Sequence, residues 1–193
     1  MEKYKVIATA TFGIEAIVGS EVKALGIEEV QVENSRVIYE TDIEGIAKSN
    51  LWLRCADRVF LQIGEFKARS FEELFDKTYA LPWEKFIPVN GEFPVNGKSV
   101  KSQLFSVSDC QAIVKKAVVK KLGETYSVEW FKEDGPKFPI LVSILKDVVT
   151  LSIDTSGVGL HKRGYRAKGN EAPLKETLAA AMLNISRWHS KIP

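Results

Sequence analysis

No apolar run in this chain is long enough to cross a bilayer. The longest, Phe138 to Leu145 (FPILVSIL), contains a proline and a serine and falls far short of the ~20 residues a membrane helix needs. The opening MEKYKVIATA has no long apolar core followed by small cleavage-site residues, so no secretory signal is expected. Cysteine is scarce: Cys55 and Cys110 stand outside any metal-ligand spacing and are expected as separate buried thiols in a reducing cytoplasm. Histidine is as scarce, and His161 and His189 are far apart. With no H-x-x-x-H and no C-x-x-C, no metal site is expected. Nor is there a G-x-G-x-x-G, a G-x-x-x-x-G-K-[ST] or a G-x-S-x-G, which removes the familiar nucleotide loops and the hydrolase nucleophile elbow. The 193 residues hold no catalytic constellation of their own.

What is present is a globular composition, 45% hydrophobic and 27% charged, which argues against disorder. The net charge of +2 is small but unevenly spread: −4 over residues 1–50, −1 over 51–97 and +7 over 98–193. A basic second half is the footprint of a polyanionic partner.

Residues 1–67 read as a complete small unit. Tyr4–Thr11 is a β-branched strand, and Ile14, Ile17, Val18, Val22 and Leu25 recur at helical spacing before Gly26. Val30–Val32 and Val37–Tyr39 flank Asn34-Ser35 as a hairpin, Asp42 caps a second helix, and Val59, Leu61 and Ile63 alternate as a last strand. The order β-α-β-β-α-β is that of the ferredoxin-like split βαβ fold. A second unit, residues 68–156, opens with the capping box SFEE at Ser70. After a Pro- and Gly-rich stretch, a helix is expected from a cap at Ser108 with Gln111 three residues on, ending at Gly123. Phe138–Leu145 and Val148–Ile153 then form strands around Lys146-Asp147. Residues 157–193 are a basic connector and a helix from about Pro173. Its apolar face, Leu174, Leu178, Ala181, Met182, Ile185 and Trp188, can pack back on the domain or meet a further domain.

Two basic clusters are the candidate site. Lys98, Lys101 and Gln103 lead into Lys115, Lys116, Lys120 and Lys121, six lysines against the single Asp109 across residues 98–121. The connector GLHKRGYRAKG (159–169) adds His161, Lys162, Arg163, Arg166 and Lys168 for phosphates, with Tyr165 as a stacking surface for an unpaired base. Either cluster can also be read as an ordinary solvated surface.

LFSVSDCQAIVKKAVVKKLG (104–123), ILVSILKDVVTLSIDTSGVGLHKRGYR (140–166) and APLKETLAAAMLNISRWH (172–189) closely resemble the N-terminal part of bacterial THUMP-domain RNA methyltransferases. NLWLRCADRVFLQIGEF (50–66) and SFEELFD (70–76) extend the resemblance over the whole chain. This group is often labelled as adenine-specific DNA methylases and is related to the guanine methyltransferases of large-subunit ribosomal RNA. The resemblance implies an α+β chain: a ferredoxin-like domain, an α/β THUMP domain that grips RNA, with the family pattern reaching back to about residue 44, and a C-terminal linker helix. It implies a methyltransferase domain beyond Pro193, using S-adenosylmethionine, that carries the catalytic residues. Pro173, Leu174 and Lys175, in APLKE, would edge its donor pocket in the intact enzyme, while this chain alone would bind no donor. The partners implied are RNA, ribosomal by preference, and that domain of the same polypeptide, in the cytoplasm. The alternative is a free-standing, non-catalytic THUMP module.

Overall fold

The computed structural model describes residues 2–164, 166 and 173–188. Contacts divide the chain into Met1–Leu61 with Thr155–Pro193, and Gln62–Asp154.

The first unit contains β1 (Tyr4–Ala10), α1 (Glu15–Ala24), β2 (Val30–Glu33), β3 (Arg36–Thr41), α2 (Ile43–Trp52) and the start of β4 (Ala56–Lys67). β1 pairs antiparallel with β3 on one side and β4 on the other, and β2 pairs with β3. This is the ferredoxin-like order expected. Period-two alternation puts Val6, Ala8 and Ala10 on one buried face, and Ile14, Val18 and Val22 of the helical stripe cover it. Asp42 caps α2, accepting from the Gly45 amide at 2.8 Å. A β-carbon on Gly45 would sit 1.8 Å from Thr41 Oγ1, so only glycine fits that first turn. Ser35 adopts a positive φ of 62° in the hairpin. Its amide and that of Gly13 both donate to the Glu15 carboxylate, at 2.7 and 2.9 Å. The Ser35 amide is the leading cause that holds that carboxyl below the usual carboxylate range.

The last helix, α5 (Glu176–Ile185), belongs to the same unit. It starts later than expected: Pro173 precedes it and Lys175 occupies the N-cap position. Ala181 is fully buried and Leu178 packs on the same core, while Leu174, Met182, Ile185 and Trp188 are exposed. The core of the unit reaches only the middle of the helix, so the expected apolar face is divided between buried and exposed residues.

The second unit contains the rest of β4, then α3 (Phe71–Tyr79), a 3-10 turn (Trp83–Lys85), β5 (Val95–Val100), α4 (Val107–Tyr126), β6 (Ile140–Leu145) and β7 (Val148–Asp154). β5 runs parallel to β6, and β6 antiparallel to β7. Leu74, Trp83, Ile87, Phe93, Val114, Val118 and Leu122 meet Val142, Ile144 and Leu151 in its core. Ser70 caps α3, accepting from the Glu73 amide. Lys146 and Asp147 take positive φ of 51° and 63°, which suits a tight two-residue hairpin. Two expectations for α4 are corrected. The N-cap is Ser106 rather than Ser108, because Gln111 donates to the Val95 carbonyl at 3.2 Å instead of closing a capping box. Gly123 does not end the helix, which continues to Tyr126 before Ser127 turns left-handed at φ 56°.

β5 is the strand that sequence alone does not separate from its turn-rich surroundings, because VNGKSV carries a glycine at its centre. The helix requires that glycine: a β-carbon on Gly97 would meet Gln111 Cγ and Val107 Cγ1 at 3.0 Å and Val142 Cγ1 at 3.1 Å. Gly97→Val should therefore lower stability by roughly 1–3 kcal/mol through overpacking. A urea midpoint equal to that of the parent protein would show that α4 yields freely.

Candidate nucleic-acid interface

The candidate cations among the described residues lie in three places. On α4, Lys115 is committed to its own unit. Its Nζ donates to Glu133 Oε1 at 2.6 Å and to the Phe93 carbonyl at 3.1 Å, and lies 3.5 Å from the Phe93 ring centroid. The outward role expected of Lys115 is thereby corrected, since its charge is already neutralised. Lys116 is exposed. Lys120 lies over the Tyr79 and Phe75 rings at 5.3 and 5.9 Å, and Lys121 over Tyr79 at 5.8 Å. Phe75 and Tyr79 are themselves stacked, and Tyr79 donates its hydroxyl proton to Glu124. Cations held over rings keep their charge while losing some freedom.

The second place is the loop between β5 and α4. Along β5, Asn96, Lys98 and Val100 are exposed while Val95, Gly97 and Ser99 are not, and Gly97 faces α4. A strand turns successive side chains to opposite faces, so Lys98 points away from α4. The six lysines of residues 98–121 therefore do not form one face. Beyond β5 the loop is tied to the β6–β7 turn. The Gln103 amide donates to Asp147 Oδ1 at 2.8 Å, the Asp147 amide to Ser102 Oγ at 3.1 Å, and the Lys146 amide to the Val100 carbonyl at 3.2 Å. Asp147 also faces Arg69 at 3.4 Å. Lys101 and Gln103 are exposed.

The third place is the connector, where the structure changes the meaning of several residues. The Arg163 guanidinium donates to the carbonyls of Leu51 at 2.6 Å, Asn50 at 3.2 Å and Leu53 at 2.6 Å, and its Nε to that of Leu160 at 2.9 Å. The first three are orphan acceptors at the end of α2, a helix with no basic residue in its own last turn. Arg163 is therefore a helix cap, and four of its five N–H donors are engaged there rather than offered to a phosphate. Arg166 donates to the Leu174 carbonyl at 2.7 Å and pairs with Glu176 at 3.2 Å. Lys175 and Thr177 both contact Asp57 Oδ1, at 3.2 and 3.1 Å, while the Asp57 carbonyl accepts from the Leu160 amide. Pro173 and Leu174 are exposed. His161 is half-buried against Gly159, where a β-carbon would lie 2.8 Å from the imidazole. Lys162 is exposed. Tyr165 and Lys168, the expected stacking and phosphate residues, lie outside the described residues. Both cysteines are free and buried, and burial pushes the Cys55 thiol up to about 12. Among the described residues no cluster of His, Cys, Asp or Glu is placed to hold a metal, and no helix is long and apolar enough to cross a membrane.

Residues 5–60 match the RlmL ferredoxin-like domain and residues 68–154 the THUMP domain, so the chain carries a ferredoxin-like domain followed by a THUMP domain. Residues 163–193 match the RMKL-like methyltransferase domain. The chain is 53% identical over 190 residues to "Putative RNA methyltransferase YpsC" of Bacillus subtilis, covering 97% of itself and 49% of that relative. It is 35% identical to "Ribosomal RNA large subunit methyltransferase K/L" of Syntrophotalea carbinolica, over 95% of itself and 26% of that protein. Two solved structures are similar. One is a "predicted N6-adenine-specific DNA methylase" from Listeria monocytogenes, with TM-score 0.96 and 55% identity over 100% of this chain and 51% of that one. The other is "SMU.472, a putative methyltransferase complexed with SAH", with TM-score 0.93 and 49% identity over 100% and 51%. The chain thus spans about half the length of the Bacillus subtilis relative and of these two structures, and about a quarter of the Syntrophotalea carbinolica relative.

Proposed function

We propose that this chain is the RNA-recognition part of an S-adenosylmethionine-dependent RNA methyltransferase. Its substrate is the exocyclic amine of a guanine in large-subunit ribosomal RNA, and it acts in the cytoplasm. One observation carries the reading: the order of the matched domains, ferredoxin-like, THUMP and then the first residues of a methyltransferase domain at 163–193. The relative named for large-subunit ribosomal RNA supports that substrate, and the neighbour solved with SAH supports the donor. When bound, the donor supplies the methyl group.

The part played by this chain is to hold and orient the RNA, so that a base unstacked from its helix can reach the methyltransferase domain. Lys98, Lys101, Gln103, Lys116, Lys120, His161 and Lys162 remain the candidates for RNA contact. Pro173 and Leu174 are free to edge the donor pocket, whereas the Lys175 ammonium is committed to Asp57.

The test uses the full-length gene product, labelled S-adenosylmethionine and unmodified large-subunit ribosomal RNA, with the RNA digested to nucleosides. N2-methylguanosine is the expected product. Methylated adenine would overturn the choice of base, and label entering DNA but not RNA would overturn the choice of polymer.

A further inference from the structure

Phe105 is 82% exposed in the loop that carries Lys101 and Gln103 into α4, and neither the core nor any of the bonds that fix the loop uses its ring. Leu104 beside it is buried, and the loop is anchored on both sides. The Leu104 carbonyl accepts from Ser99 Oγ at 2.6 Å, and Asp147 and Ser102 lock the loop to the β6–β7 turn. The ring is thus presented by a braced segment. The same braced loop carries the exposed Lys101, and the β6–β7 turn bonded to it carries the exposed Lys146. Neither ammonium group has an ion-pair partner among the described residues. The nearby Asp147 is occupied by the Gln103 amide and Arg69, which leaves Asp109, in the first turn of α4, as the remaining acid of the segment.

We propose that the β5–α4 loop and the β6–β7 turn of the THUMP domain form a binding site for one unpaired nucleotide of RNA. The base stacks on Phe105, and its flanking phosphates lie against Lys101 and Lys146. The proposal rests on the RNA reading given above. An unpaired nucleotide fits better than a duplex: a bare ring offers a π-face to any unstacked base, whereas the base pairs of an A-form helix are already stacked. It also fits better than a protein partner, because the exposed apolar area is a single ring and the exposed charges of the loop and turn, Lys101 and Lys146, are both positive, which suits a phosphate backbone. Lys146 belongs to the site although 45 residues separate it from Lys101 in sequence; the hydrogen bond from its amide to Val100 brings it there.

The experiment is a fluorescence titration of the chain with a single-stranded RNA oligonucleotide containing 2-aminopurine, at several salt concentrations. Phe105→Ala should weaken binding about 5- to 150-fold, the equivalent of roughly 1–3 kcal/mol of stacking. It should also abolish the stacking-induced quench while leaving the salt slope unchanged. Phe105→Trp should restore both affinity and quench. Replacing Lys101 and Lys146 together with alanine should reduce the salt slope by about 1.4, at roughly 0.7 per phosphate contact. Trp130→Ala, which removes a ring 84% exposed beyond the other end of α4, should change nothing. If wild type binds RNA and Phe105→Ala binds it equally well with circular dichroism unchanged, the site is wrong and the RNA reading survives. If wild type binds the oligonucleotide no better than it binds heparin, the RNA reading itself fails. Equal weakening by Trp130→Ala would also overturn the site.

Discussion

Arg163→Ala should lower the melting temperature by roughly 5–10 °C while leaving the salt dependence of RNA binding where it was. The thermal loss follows from the four carbonyls that the guanidinium serves. Three of them cap the end of α2, and Leu53, whose carbonyl accepts at 2.6 Å, is fully buried. Hydrogen bonds from a charged donor contribute about 1.5–3 kcal/mol each in favourable cases, and a cation at a helix C-terminus contributes up to ~2 kcal/mol. The Leu51 contact is exposed and worth less, so a total of about 2–3 kcal/mol is expected. At roughly 2–4 °C per kcal/mol for a chain of this size, that gives the stated shift. Arg163→Lys separates charge from geometry: the ammonium keeps the helix-end charge but cannot fork to several carbonyls, so only part of the loss should be recovered. A salt slope reduced by about 0.7 with an unchanged melting temperature would return Arg163 to the phosphate role that its sequence neighbourhood suggests.

Trp83→Ala should cost about 3–5 kcal/mol, the range for removing a large buried aromatic. Trp83 is fully buried at the centre of the second core, and its indole Nε1 donates to the Thr78 carbonyl at 2.8 Å. Removing it opens a cavity beneath α3 and leaves that acceptor at the end of α3 without its donor. Trp83→Phe keeps most of the volume and loses the hydrogen bond, so its cost should be less than half as large. Both are read from urea unfolding. A cost below ~1 kcal/mol for the alanine variant would mean that the core collapses around the space. Since α3 and α4 hold Tyr79, Lys120 and Lys121 together, the alanine variant should also weaken RNA binding.

Most of the elements, β5 apart, and the caps of α2 and α3 were legible in the sequence because each depends on neighbours within a few residues. Asp42 and Ser70 cap the helices that follow them. The Lys146-Asp147 turn takes the positive φ that its two-residue loop demands. Alternation and helical spacing separate β1, α1 and α4 from their connections. The resemblance of the chain to THUMP-domain methyltransferases was legible too, because motifs such as GLHKRGYR and APLKE are contiguous.

The destination of each cation was not legible. Lys115 and Lys116 are adjacent in sequence, yet one is paired with Glu133 beneath a strand end and the other is in solvent. Arg163 and Lys162 are adjacent as well, yet Arg163 closes a helix 112 residues earlier and Lys162 remains exposed. Lys98 parts from the α4 lysines because a strand reverses its face at every residue and a helix does not. Spacing records where a charge begins along the chain, but only packing decides which carbonyl, carboxylate or ring the flexible side chain reaches. The sequence by itself determined the fold and family; tertiary structure alone decided which basic residues still have a charge to offer.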